Sequence, residues 1–237
     1  MSLHFAREID RIKSQILALG GQVEECVRHA VQSLFEKNAE LAEKVIKGDR
    51  EIDYQEVEVE ESCLKLLALY QPVAVDLRFI VSVLKINNDL ERIGDLGVNI
   101  ARRTLFLSGE GADYAVPDQL PQMAAKTRLM LRDSLDSLVK HDALLARRVL
   151  ANDQEIDALN REVFEVVRKR LEAGATNVAV EMHLHSAARF LERLADHTTN
   201  IAEDVIYLIE GVIIRHAAKK AREQLERKES TGRIPPR

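Results

Sequence analysis

Leu-Glu-Arg-Ile-Gly-Asp (Leu90 to Asp95) returns about a hundred residues later as Leu-Glu-Arg-Leu-Ala-Asp (Leu191 to Asp196). Both copies run on to Asn-Ile-Ala, at Asn99 to Ala101 and at Asn200 to Ala202. A second pair keeps the same order upstream: Asp-Arg-Glu-Ile-Asp (Asp49 to Asp53) recurs as Asp-Gln-Glu-Ile-Asp (Asp153 to Asp157). Two motifs recurring in one order mark a tandem duplication, and a duplication fixes the architecture before any single residue does.

Each copy lies in a long run with helical periodicity. Leu184, Ala187, Ala188, Leu191, Leu194, Ala195, Thr198, Ile201, Ala202, Val205, Leu208 and Ile209 recur at three- and four-residue spacing, which makes one apolar stripe. Extended in both directions, the pattern predicts helices over 5–36, 39–70, 74–107, 119–140, 142–173 and 178–220. The breaks are Lys37-Asn38, Gln71-Pro72, His141 and Ala173 to Ala175, too short for anything but antiparallel neighbours. The expected fold is therefore all-α: two tandem, similar three-helix up-down-up bundles over 1–107 and 122–220. Residues 108–121 form a linker between them, with Gly109, Gly111, Pro117 and Pro121, and 221–237 a charged, flexible tail.

Composition agrees. Charged residues are 31% of the chain and apolar ones 46%, with five prolines, ten glycines and no tryptophan, a balance that suits amphipathic helices better than strands and their turns. The formal charge of −5 argues against a general nucleic-acid binder. No stretch approaches the roughly 20 apolar residues that cross a bilayer, and charges at Arg7 to Lys13 stand where a signal sequence would be apolar. A soluble, cytoplasmic protein without membrane insertion is expected. Cys26 and Cys63 lack a CxxC partner and are expected as reduced, buried thiols.

The acids carry the chemistry. Asp49/Asp53, Glu91/Asp95, Asp153/Asp157 and Glu192/Asp196 are all i,i+4 pairs, a like-charge spacing that costs a helix a few tenths of a kcal/mol each. In an antiparallel hairpin, residues equidistant from the turn share a level. The midpoint between Asp53 and Glu91 falls on Pro72, and so does that between Asp49 and Asp95. In the second half both corresponding midpoints fall between Gly174 and Ala175. Four carboxylates per half are thus expected at one level of two adjacent helices. Such groups must take up protons, pair with cationic side chains such as Arg92 and Arg193, or bind a metal ion. An oxygen-only site suits hard cations such as Mg²⁺, Ca²⁺ or Mn²⁺, and iron. The halves differ: Glu56 and Glu60 extend the acidic face of the first, where the second has Asn160 and Phe164. Arg102 likewise stands where the second half has Glu203, and Leu84 where it has His185.

The segments Asp89 to Asp95 and Leu191 to Glu203 resemble the two signature segments of PhoU proteins, and Pro72 to Ile80 resembles the segment that opens the third helix there. The resemblance runs from about residue 5 to Gly211. It implies a pair of three-helix bundles whose acidic motifs hold metal ions, in some members multinuclear iron clusters. Asp49, Asp53, Glu91, Asp95, Asp153, Asp157, Glu192 and Asp196 are the positions that match. It further implies a negative regulator of the phosphate-starvation response. Such a regulator couples the ATPase subunit of a Pst-type phosphate transporter to a sensor histidine kinase and restrains phosphate uptake. A homodimer is expected. The alternative is a metal-free helical interaction scaffold. A di-iron enzyme would need Glu-x-x-His from each of two helices, and no glutamate here has a histidine three residues on. Without that motif, a nucleotide-binding loop or a nucleophile arrangement, no enzymatic activity is expected.

Overall fold

The computed structural model describes residues 3–109, 114–175 and 177–214. They form six helices, α1 (Leu3–Glu36), α2 (Ala39–Tyr70), α3 (Ala74–Gly109), α4 (Gln119–Lys140), α5 (Ala143–Glu172) and α6 (Val178–Glu210). Local chemistry sets the turns. Asn38 caps α2 by accepting from the Leu41 N–H, Asp142 caps α5 by accepting from Leu144 and Leu145, and Asn177 caps α6 by accepting from Val180. Lys37, Gln71 and His141 take left-handed backbone at the breaks, each ending its helix within one residue.

Within each repeat the three helices pack on one another, α1 with α2 and α3, and α4 with α5 and α6. The repeats then join broadly along α3 and α6 and more narrowly along α1 and α4, around one continuous apolar core. Lys85 meets Asp204, Asp89 meets His197, and Arg103 meets His183, so rising numbers on α3 face falling numbers on α6. The two helices are antiparallel, with Ile93 and Leu194, both fully buried, near the middle of the shared face. Gly97 lets α1 come close to α3, since a Cβ there would stand 3.0 Å from Cys26 Sγ.

Two expectations need correction. The last helix was expected to reach residue 220 and ends at Glu210. Gly211 adopts φ of 73° and returns its N–H to Tyr207 O, and a Cβ there would collide with Arg78 Nη1. The apolar run Val212 to Ile214 continues the composition of the helix but not its backbone. The expected linker also starts later and is less free than its glycines and prolines suggest. Helix α3 continues through Gly109, and α4 already begins at Gln119. Between them Tyr114 is buried and donates its hydroxyl to Leu34 O at 3.0 Å, while Arg170 Nη1 donates to Ala115 O at 2.6 Å. The expected tail, 221–237, lies outside the described residues.

Candidate functional site

The hairpin α2–α3 carries Asp49, Asp53, Glu91 and Asp95, and the hairpin α5–α6 carries Asp153, Asp157, Glu192 and Asp196. The core stripe of each helix fixes their direction. In α2, Ile52, Val59, Cys63 and Leu66 point inward, which leaves Asp49 partly buried and Asp53 exposed at the rim of the α2–α3 seam. In α3, buried Leu90 and Ile93 leave Glu91 and Asp95 partly buried on the same seam. Asp153, Asp157 and Glu192 are partly buried in the second half, where Asp196 keeps open surface.

The acids of each half act on one another in the pairing that the turns require. Burial raises the Asp49 carboxyl above the usual range, Asp53 and Asp95 raise it further, and Arg102 opposes them. Glu91 is raised by burial, then by Asp95, with Arg92 opposing and Glu56 and Asp53 adding to the rise. Glu192 is raised by burial and by Asp157, with Arg189 opposing and Asp153 adding. Asp196 is displaced furthest, pushed up to about 6 by burial and then by Glu192, Asp153 and Asp157, against His197. Asp196 is open to water, and Glu192, Asp153 and Asp157 still act on its carboxylate.

Arginine relieves part of this charge. Arg92 reaches Glu91 at 3.3 Å and Asp95 at 3.4 Å, both long contacts from a half-exposed side chain. Exposed pairs of this kind contribute about 0–1 kcal/mol. Arg193 acts on Glu192 more weakly than Arg189 does. Among the described residues, no three acidic, histidine or cysteine side chains converge closely enough to hold one ion as they stand.

Asp196 gives a measurable consequence. Its folded pKa lies above the ordinary 3.8, so folding takes up a proton between pH 3.8 and about 6. Its contribution is least unfavourable below that window, worsens as pH rises through it, and costs stability in full above it. Asp196→Asn is therefore expected to stabilise the metal-free protein at pH 7 by about 1 kcal/mol, the full displacement being discounted for solvent screening. The gain should fade towards pH 4, as followed by thermal melts with chelator present. An equal gain at pH 4 and 7 would show that relieved repulsion is not the cause.

Other residues stand out only in the folded chain. Asp89, nearly buried, accepts from His197 Nδ1 at 2.8 Å and from Asn200 Nδ2 at 3.2 Å. Asp204, also buried, meets Lys85 Nζ at 3.4 Å, and Lys85 lies over the Tyr207 ring. These bonds join the halves across α3 and α6. Position gave a usable signal, since Asp89 sits between core residues Ile86 and Leu90 and Asp204 beside Val205. Asn87, equally buried, donates to Glu56 O and Glu56 Oε1, tying α3 to α2 one turn beyond the first cluster. In the second half Phe164 and His185 meet edge to face instead. Cys26 and Cys63 are free thiols, pushed up to about 12 by burial, with Cys26 retaining some surface. Among the described residues no helix is long and apolar enough to cross a membrane.

Comparison with known proteins agrees with the duplication. The family model for the PhoU domain matches twice, over 16–104 and 120–205. The chain is 36% identical over 209 residues to the phosphate-specific transport system accessory protein PhoU homolog 1 of Thermotoga maritima, covering 88% of this chain and 90% of that protein. It is 39% identical over 215 residues to the corresponding accessory protein PhoU homolog of Aquifex aeolicus, 89% and 95% covered. The crystal structure of PhoU from Pseudomonas aeruginosa superposes with a TM-score of 0.85 at 34% identity, over 88% of this chain and all of that one. The phosphate transport system regulatory protein PhoU from Streptococcus pneumoniae superposes with a TM-score of 0.82 at 30% identity, over 88% and 98%.

Proposed function

Because the chain belongs to the PhoU family, we propose that it is a cytoplasmic, non-enzymatic regulator of phosphate uptake whose two carboxylate clusters bind metal ions. In this reading it represses the phosphate-starvation response by bridging the ATPase subunit of a phosphate transporter and a sensor kinase. The relatives support the transport connection, being phosphate-specific transport system accessory proteins by name. One observation supports the metal reading: within each half, acids from two helices act on one another, and arginines oppose only part of that repulsion.

The residues fit a hard cation. Every proposed donor is a carboxylate oxygen, and the thiol of Cys26, on which Asp49 acts, is held protonated by burial. Asp49, Asp53, Glu91 and Asp95 would hold the ion of the first half, and Asp153, Asp157, Glu192 and Asp196 that of the second. A bound cation would supply positive charge that draws the two helices of each hairpin together and stiffens the surface offered to partners. The chain's own part is to hold the acids at one level, through the core stripes and the turns at Pro72 and Gly174. His197 and Asn200 belong to the same helix as Glu192 and Asp196 and bind Asp89 of the other half, which links the second seam to α3.

The test is a deletion strain carrying a reporter of the phosphate-starvation response. Loss of the protein should derepress the reporter in phosphate-rich medium by at least tenfold. The wild-type chain should restore repression, and Glu192→Gln/Asp196→Asn should not. Pull-downs with the transporter ATPase subunit and the kinase should recover both. Repression unchanged by deletion, or recovery of neither partner, would overturn the reading.

A further inference from the structure

The outward face of α2 carries an apolar stripe that no other described residue covers. At 100° per residue, Tyr54, Val57, Leu64 and Ala68 fall together on the side opposite the buried Ile52, Val59, Cys63 and Leu66. Tyr54 is 61% exposed, Val57 47% and Leu64 51%. A solvent-facing helix surface is ordinarily polar. Single exposed apolar residues need no explanation, whereas several on one line of one helix do.

The duplication supplies an internal control. Matching Asp49 with Asp153 places Ala158, Arg161, Arg168 and Glu172 of α5 where α2 has Tyr54, Val57, Leu64 and Ala68. There Arg168 pairs with Glu165 and with Glu172, so the outward face of α5 is a self-neutralised polar surface. On α2 the apolar side chains are flanked by Glu51 and Glu58 on one side and Glu60 on the other, with Glu61 within the stripe. Tyr54 donates its hydroxyl to Glu58 at 3.3 Å, and Gln55 donates to Glu51. Arg50 stands one turn before Tyr54, and Lys65 lies beside Leu64. Tyr54 with Val57 and Leu64 with Ala68 make an apolar ridge in two parts about Glu61, with acids along both edges.

We propose that this face of α2 docks a cationic amphipathic helix of a partner protein. The partner's apolar residues would lie along Tyr54, Val57, Leu64 and Ala68. Its lysines or arginines would reach Glu51, Glu58, Glu60 and Glu61. From Tyr54 to Ala68 the ridge runs about 21 Å, at about 1.5 Å per residue, which is the length of a four-turn helix. The charge pattern selects the occupant. An acidic or neutral helix would leave the glutamates facing like charge or nothing, and steering by opposite charge speeds encounter. None of the acids used belongs to the proposed metal clusters, so the docking face stands whether or not metal binds.

The test uses the full chain and a fluorescent 14-residue peptide of leucine and lysine, with leucines at the first and fourth positions of each heptad. Wild-type protein should bind it, with affinity falling as salt rises. Tyr54→Ala/Val57→Arg/Leu64→Arg, which installs the residues of α5, should weaken binding at least tenfold without changing the melting curve. Tyr54→Ser/Leu64→Ser keeps the charge and should still weaken it severalfold, separating the ridge from added positive charge. Unchanged binding in either variant would overturn the proposal, as would equal binding of a scrambled isomer of the peptide. Sedimentation showing a dimer that the first variant dissociates and the peptide does not displace would also overturn it, assigning the ridge to a second copy of the chain.

Discussion

Replacing His197 with alanine is expected to destabilise the chain by about 3 kcal/mol, because the substitution strands the Asp89 carboxylate in the seam between the halves. Asp89 is only 7% exposed, and one of its oxygens accepts from both His197 Nδ1 and Asn200 Nδ2. Removing one partner of a buried pair typically costs about 3–5 kcal/mol, and the residual contact with Asn200 places this case at the lower end. In a chain of this length that lowers the melting temperature by about 6–12 °C. The informative comparison is Asp89→Leu/His197→Leu, expected to recover most of the loss, since replacing both members of a buried pair with apolar groups is often neutral. The duplication already contains the apolar version: alignment of the two signatures puts Phe190 opposite Asp89 and Leu96 opposite His197. If the double variant is as unstable as the single, the pair contributes stability of its own. If it recovers, the pair serves to set the register of α3 on α6.

That pair also shows where a sequence stops being readable. The helices, their order and their turns follow from periodicity and from punctuation at Asn38, Pro72, His141 and Gly174, because each depends on residues within one turn of the break. The shared level of the acids follows as well, being only a matter of counting from the turn. The end of α6 misled because Val212 to Ile214 keep the composition of a buried stripe, while a single glycine in left-handed backbone decides the matter. The cross-half bonds were out of reach for a different reason. His197 is visible as a residue beside Asp196, but its partner lies on another helix of the other repeat, and nothing local encodes how α3 sits on α6. Distances among the carboxylates depend on rotamers at an open seam, which neither spacing nor level dictates.

The largest ligand-linked effect should come from the second carboxylate cluster. With Mn²⁺ at about a hundred times its dissociation constant, wild-type protein should gain about 2.7 kcal/mol, and at a thousandfold excess about 4.1 kcal/mol. Glu192→Gln/Asp196→Asn should forfeit that gain, a difference of about 5–11 °C at the lower excess. Without metal the order reverses, because the variant no longer sets Glu192 and Asp196 against Asp153 and Asp157 and melts higher than wild type at pH 7. The two melting temperatures should therefore cross as Mn²⁺ is added. Surface ion pairing predicts no crossing, since neutral side chains in place of paired acids lose little with or without the ion. The matching first-half variant, Glu91→Gln/Asp95→Asn, should retain most of the response. Arg92 already sits against both of those acids, so a cation entering there displaces it. Protons compete at the second site. With Asp196 pushed up to about 6, the response to Mn²⁺ should weaken as pH falls below that value. Two melting curves that stay parallel across a Mn²⁺ titration would leave the eight acids as solvated surface charge.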